Sequence, residues 1–197
     1  LEGGMVEWNS VYDFSEIQEG VIQIRRVGKA CLSYLLVSGK EAVVIDPTAD
    51  VDVYEEAAKG AKIVAVIDTH LHTDHISGRI LDARYFAPAE VGGQHEIIKE
   101  GDIIKFGTSM LRAIASPGHT PESIVYSFEN ILFTGDTIFV DGVGQPDIDQ
   151  PIRDSATIFF DTLQKLFQLP DDMLVLPGHY DIRTKQLVTT LGEIKQL

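Results

Sequence analysis

The residues with chemistry in them are the histidines. The 197-residue chain has six: His70, His72, His75, His95, His119 and His179. Three of them fall in one short window, Thr69-His70-Leu71-His72-Thr73-Asp74-His75. His70 and His72 are two residues apart, so extended backbone points both side chains the same way, at one metal ion. On a helix they would diverge, and the zinc-protease pattern spaces its histidines four apart instead. Asp74 and His75 follow where the chain begins to turn and face a different point, a neighbouring second metal. His119 and His179 each follow a Pro-Gly pair, and Asp136 lies in Thr134-Gly135-Asp136-Thr137. Seven nitrogen and oxygen donors with no thiolate suit zinc, iron or manganese, and a carboxylate such as Asp136 can bridge two ions. The set His70, His72, Asp74, His75, His119, Asp136 and His179 is therefore read as a metal centre. Asp46 and Thr69 are candidates to orient those ligands. His95 has no such context and is read as an ordinary surface or core residue.

Those donors need elements to carry them. Short apolar runs at Val21–Ile24, Leu32–Val37, Ala42–Ile45 and Ile63–Ile67 predict strands, with Ser38-Gly39-Lys40 as a hairpin turn. Asp50 is the expected cap of a helix over Val51–Ala58, and Gly60 its terminator. Further strands are expected at Ala83–Phe86, Ile103–Phe106, Met110–Ser116, Ile124–Phe128, Ile131–Thr134 and Met173–Leu176. Helical spacing is expected over Ile158–Leu166 and Thr184–Leu197. Five of the histidines and Asp136 fall just beyond predicted strand ends, where α/β folds place their chemistry. The alternation predicts an α/β protein of the αββα sandwich type, two mixed sheets with helices on the outer faces, formed by residues 5–197 as a single domain. Leu1-Glu2-Gly3-Gly4, ahead of Met5, reads as a cloning remnant.

Composition narrows the partners. Hydrophobic residues make up 44% and charged residues 23%, ordinary globular values. No apolar run approaches the roughly 18 residues of a membrane helix. Sixteen Lys and Arg against 30 Asp and Glu give a net charge of −14, which repels phosphate backbones and anionic bilayers. Nucleic acid and membrane are thus not expected as partners. The single cysteine, Cys31, precludes an internal disulfide and suits a reducing compartment, the cytoplasm; its apolar setting predicts a packing role.

The pattern His70-x-His72-x-Asp74-His75 with His119, Asp136 and His179 resembles the full ligand set of the metallo-β-lactamase-fold superfamily. Within it, Lys99-Glu100-Gly101-Asp102, Ala115-Ser116-Pro117-Gly118-His119-Thr120-Pro121, Phe133-Thr134-Gly135-Asp136-Thr137 and Gly142-Val143-Gly144-Gln145-Pro146-Asp147-Ile148 resemble the persulfide dioxygenase (ethylmalonic encephalopathy protein-like) and glyoxalase II branches. The resemblance implies one iron(II) held by His70, His119 and Asp136. It implies oxidation by O2 of a thiol persulfide, such as glutathione persulfide, to sulfite and free thiol, in a possible homodimer. His72, Asp74, His75 and His179 would then hydrogen-bond around the iron.

The alternative is a dinuclear thioester hydrolase of the glyoxalase II type, with two zinc ions or a mixed iron–zinc pair. One metal would take His70, His72 and His119, the other Asp74, His75 and His179, with Asp136 shared. The sequence departs from the dioxygenase pattern at three points. Gln145 replaces an arginine, the last ligand is followed by Tyr180-Asp181 and not Asp-Tyr, and the chain stops at Leu197. Coenzyme A or another carrier thiol therefore stands beside glutathione, with Arg79, Arg153 and Arg183 as candidates to meet an anionic carrier.

Overall fold

Apolar side chains buried on both faces of the central strands decide how this chain layers. A computed structural model describes residues 10–48, 50–72, 81–146, 152–183 and 186–197. The first sheet begins with four antiparallel strands, β1 (Tyr12–Gln18), β2 (Val21–Arg26), β3 (Cys31–Ser38) and β4 (Glu41–Ile45). Three parallel strands continue it, β5 (Lys62–Ile67), β6 (Arg84–Ala87) and β7 (Glu96–Ile97). The second sheet holds β8 (Ile103–Phe106), β9 (Ser109–Ala115), β10 (Ile124–Phe128), β11 (Ile131–Gly135), β14 (Leu174–Pro177) and β15 (Thr189–Thr190). Its spatial order is β15-β14-β11-β10-β9-β8, with β11 and β14 parallel. A small ribbon pairs β12 (Ile138–Phe139) with β13 (Gly142–Val143).

Side chains alternate between two apolar environments, as the two-residue period of a strand requires. Tyr34, Leu36, Val43, Ile45 and Ile67 face Leu111, Ala113, Tyr126 and Phe133 across the gap between the sheets. Their neighbours Leu35, Val44 and Val66 face outward onto Tyr54 and Ala57 of α1 (Asp52–Ala57). On the far side, Val125, Leu132 and Val175 pack against Leu166 of α2 (Ile152–Leu166) and Leu191 and Ile194 of α3 (Leu191–Ile194). The result is an αββα sandwich, as expected. Tyr34 crosses the central layer: its ring tilts against Phe133 at 5.0 Å and its hydroxyl donates to the Pro177 carbonyl at 2.6 Å. Such an aromatic pair adds about 1 kcal/mol to the area it buries.

Three local expectations need correction. Asp50 does not cap α1, whose N-cap is Val51; the Asp50 carboxylate accepts from the Tyr12 hydroxyl at 2.9 Å instead. The helix read from Ile158 starts at Ile152, because the polar run Arg153-Asp154 hides its beginning. Over Thr184–Leu197, described except for residues 184 and 185, helix is confined to α3. The β-branched pair Thr189-Thr190 extends alongside β14, and Thr190 then caps α3 through a reciprocal bond pair with Glu193. Among the described residues no helix is long and apolar enough to cross a membrane.

Candidate metal centre

β5 runs into Asp68-Thr69-His70, and buried hydrogen bonds hold that turn. The Thr69 amide donates to Asp46 Oδ1 at 2.7 Å and its hydroxyl to Asp46 Oδ2 at 2.8 Å. The hydroxyl has then spent its one proton, so Thr69 Oγ1 can only accept from His70 Nδ1, 2.9 Å away. This fixes the His70 tautomer: hydrogen on Nδ1, lone pair on Nε2. His70 is 1% exposed.

His119 lies beyond β9 and is fixed the same way. Its Nδ1 is 3.1 Å from the Gln145 carbonyl, which can only accept, so Nε2 keeps the lone pair. Asp136 follows β11 through Gly135. That glycine has φ +49°, and a β-carbon on it would lie 2.3 Å from Thr69 Oγ1, so the close approach of the two strand ends requires glycine. His179 follows β14, with the Gly178 amide bonded to the Gly135 carbonyl at 2.8 Å. Its Nδ1 donates to Asp136 Oδ1 at 2.7 Å.

These turns bring donors from both sheets to one hollow. Ligand atoms of His70, His72, His119 and Asp136 all lie within 4.8 Å of one another. Asp136 Oδ2 stands 3.8 Å from His70 Nε2 and 3.7 Å from His119 Nε2. His72 Nδ1 is 3.2 Å from His119 Nε2. Atoms that share one ion at about 2.1 Å stand roughly 3–4 Å apart, so the spacing fits a single cation. Three neutral imidazoles and one carboxylate carry one negative charge, which suits a divalent ion.

The remaining expectations divide. His179 reaches the cluster through Asp136. Asp74, His75 and Arg79 lie outside the described residues. His95 is elsewhere, with Nε2 3.3 Å from Glu90 and Nδ1 3.1 Å from the Gly93 carbonyl. Arg153 is exposed, and Arg183 folds back on Asp181. Tyr180 turns into the core between the sheets under the guanidinium of Arg25. Two participants escape a reading by residue type. One is the Gln145 backbone carbonyl, which no side chain announces. The other is Cys31, buried as expected but with Sγ 3.5 Å from His179 Nε2.

Sandwich and site together define a metal-binding αββα protein. The profile of the metallo-beta-lactamase superfamily matches residues 26–81 and 81–179. The chain belongs to that superfamily. It is 34% identical over 152 residues to the human mitochondrial persulfide dioxygenase ETHE1, an alignment covering 71% of this chain and 59% of that protein. It is 33% identical over 151 residues to the hydroxyacylglutathione hydrolase of Hamiltonella defensa, covering 72% and 59%. The chain thus spans about 59% of the length of these curated relatives. Among solved structures, ETHE1 from Myxococcus xanthus superposes with a TM-score of 0.71 at 30% identity, over 94% of this chain and 82% of that one. A metallo-beta-lactamase from Staphylococcus aureus superposes with a TM-score of 0.78 at 27% identity, over 94% and 62%.

Proposed function

We propose that this chain is a persulfide dioxygenase whose single iron(II) is held by His70, His119 and Asp136. The observation that carries the proposal is how Asp136 divides its oxygens. Oδ1 takes the hydrogen bond from His179, and Oδ2 faces the two imidazole lone pairs. One carboxylate oxygen is thereby offered to one ion. Two histidines and one carboxylate leave coordination positions for substrate sulfur and dioxygen, and bound iron(II) supplies the redox chemistry that joins them.

The chain's own residues do the positioning. Asp46 and Thr69 hold the His70 ring, the Gln145 carbonyl holds the His119 ring, and His179 steadies the carboxylate. The reaction balances as R–S–SH + O2 + H2O → R–SH + sulfite + 2 H+. The sulfur–sulfur bond breaks, and the outer sulfur loses five electrons, one to the sulfur that leaves as thiol and four to dioxygen. Glutathione or coenzyme A would be the carrier thiol. The named dioxygenase and hydroxyacylglutathione hydrolase relatives support a substrate of this size and kind.

The thioester hydrolase is the second reading, and His72 favours it by placing a third imidazole beside His70 and His119. It requires Asp136 to bridge two ions and His179 to turn a nitrogen toward the second. The test is metal analysis after anaerobic purification, with O2 uptake on glutathione persulfide set against hydrolysis of lactoylglutathione. One iron per chain and persulfide-dependent O2 uptake are expected. Two zinc ions with thioester cleavage in the absence of O2 would overturn the proposal.

A further inference from the structure

β9 delivers His119 to the hollow through Ser116-Pro117-Gly118, and side chains of α2 meet that stretch one after another. Lys165 Nζ donates to the Ala115 carbonyl at 3.2 Å and to Glu100 Oε2 at 2.7 Å, and the same Glu100 oxygen accepts from the Ala115 amide at 2.7 Å. Buried Thr162 donates its hydroxyl to the Pro117 carbonyl at 2.6 Å. Buried Phe159 lies against Gly118, where a β-carbon would stand 2.3 Å from its ring. Descending the helix from Lys165 through Thr162 to Phe159, the contacts advance from Ala115 through Pro117 to Gly118, the residue before His119.

Gly118 has φ +147°, a conformation that glycine takes readily and other residues rarely. With no β-carbon it sets few limits of its own, so the backbone that aims His119 takes its direction from what it rests on. The Gln145 carbonyl fixes the imidazole through Nδ1 but leaves the backbone behind it unfixed. A ligand atom about 0.5 Å out of place loses the productive geometry. We infer that Thr162 is a positioning residue: through the Pro117–Gly118 peptide it sets where His119 Nε2 stands in the hollow, with Phe159 as the floor beneath the turn. The inference rests on His119 as a metal ligand, part of the reading above, and not on which reaction the metal serves.

The test is the zinc affinity of metal-stripped protein, by competition with a chromophoric chelator, with the visible absorption of cobalt(II)-loaded protein beside it. Thr162→Val keeps the shape and removes the donor. Its affinity is expected to fall about 10- to 100-fold, with displaced cobalt bands. Thr162→Ser keeps the donor and is expected to match wild type in both. Ser38→Ala is the control: it loses hydroxyl bonds to Ser109 at 2.9 Å and to the Thr108 amide at 3.1 Å, at the hairpin between β3 and β4. It is expected to lose stability in urea and keep wild-type affinity and bands. A Val variant that binds as tightly as Ser38→Ala, or a Ser variant as weak as Val, overturns the inference. Should the Val variant fail to fold, Phe159→Leu, which stays apolar but thins the floor under Gly118, is expected to displace the cobalt bands; wild-type bands there overturn the inference. His119→Ala with undiminished affinity overturns it together with the ligand assignment. A drop in Thr162→Val supports it whatever O2 uptake shows.

Discussion

Gly144 closes down on the backbone of Asp136: a β-carbon there would stand 1.9 Å from the Asp136 carbonyl oxygen and 3.5 Å from Nδ1 of His119. No side-chain adjustment relieves a clash with backbone. Gly144→Ala must push its loop outward, drawing the neighbouring Gln145 carbonyl off His119. The expected cost is about 1–3 kcal/mol of stability together with weaker metal retention, read by denaturant titration and by metal content after dialysis. Unchanged metal retention would show that the Gln145 carbonyl does not matter.

Thr69 is the relay between Asp46 and His70. Thr69→Val keeps the shape but removes the hydroxyl that takes the His70 hydrogen, and it takes one donor away from Oδ2 of buried Asp46. Metal affinity is expected to fall about 10- to 100-fold with the fold retained, measured by competition with a chromophoric chelator. An affinity equal to wild type would count against a fixed His70 tautomer.

His119→Ala and Asp136→Ala are each expected to abolish metal retention. His179→Ala is expected to leave one ion bound, held more weakly, because its Nδ1 touches the carboxylate and not the hollow. Elemental analysis of the three purified variants decides this. If His179→Ala loses metal as fully as His119→Ala, the ligand assignment is wrong.

Buried tyrosine hydroxyls set the alkaline limit, and Tyr34, Tyr54 and Tyr126 are the most fully buried. Burial pushes the hydroxyls of Tyr34, Tyr54 and Tyr126 above their ordinary value near 10. Above pH 10 the unfolded chain releases tyrosine protons that the folded chain keeps, so stability from these groups is complete below pH 10 and falls as pH rises. Each contributes a slope of about 1.4 kcal/mol per pH unit. Tyr126→Phe loses the hydrogen bond to the Asp68 carbonyl and starts about 1 kcal/mol less stable, but declines less steeply between pH 10 and 11 in urea unfolding. Parallel slopes would remove Tyr126 from the account.

Much of this was legible in the sequence because burial on both faces writes apolar runs, as in β3, β4 and β10, and burial on one face writes an alternation, as in β8. β8 and β10 fall on their expected residues, and β3, β4 and β5 within one or two. The strands that were missed carry little apolar signal: β1 is mostly exposed, and β7, β12 and β13 are two residues each. Thr189-Thr190 was hidden for another reason, since its extended form depends on β14 as a partner distant in sequence.

For the site, residue type and strand-end position singled out His70, His72, His119 and Asp136, which converge. What type could not show is which atoms hold them. The Gln145 carbonyl belongs to every residue alike, and Cys31 acquires its neighbour only through a bridge spanning 148 positions of chain.

The donors of the hollow are drawn from two separate sheets, His70 and His72 from one, His119 and Asp136 from the other. A cation among them is thus a rivet through the seam, and its affinity adds to the cohesion of the sandwich. Chelation should loosen that lip first, so amide exchange after Ile67 and after Gly135 should quicken together while the distant Gly39 hairpin stays quiet.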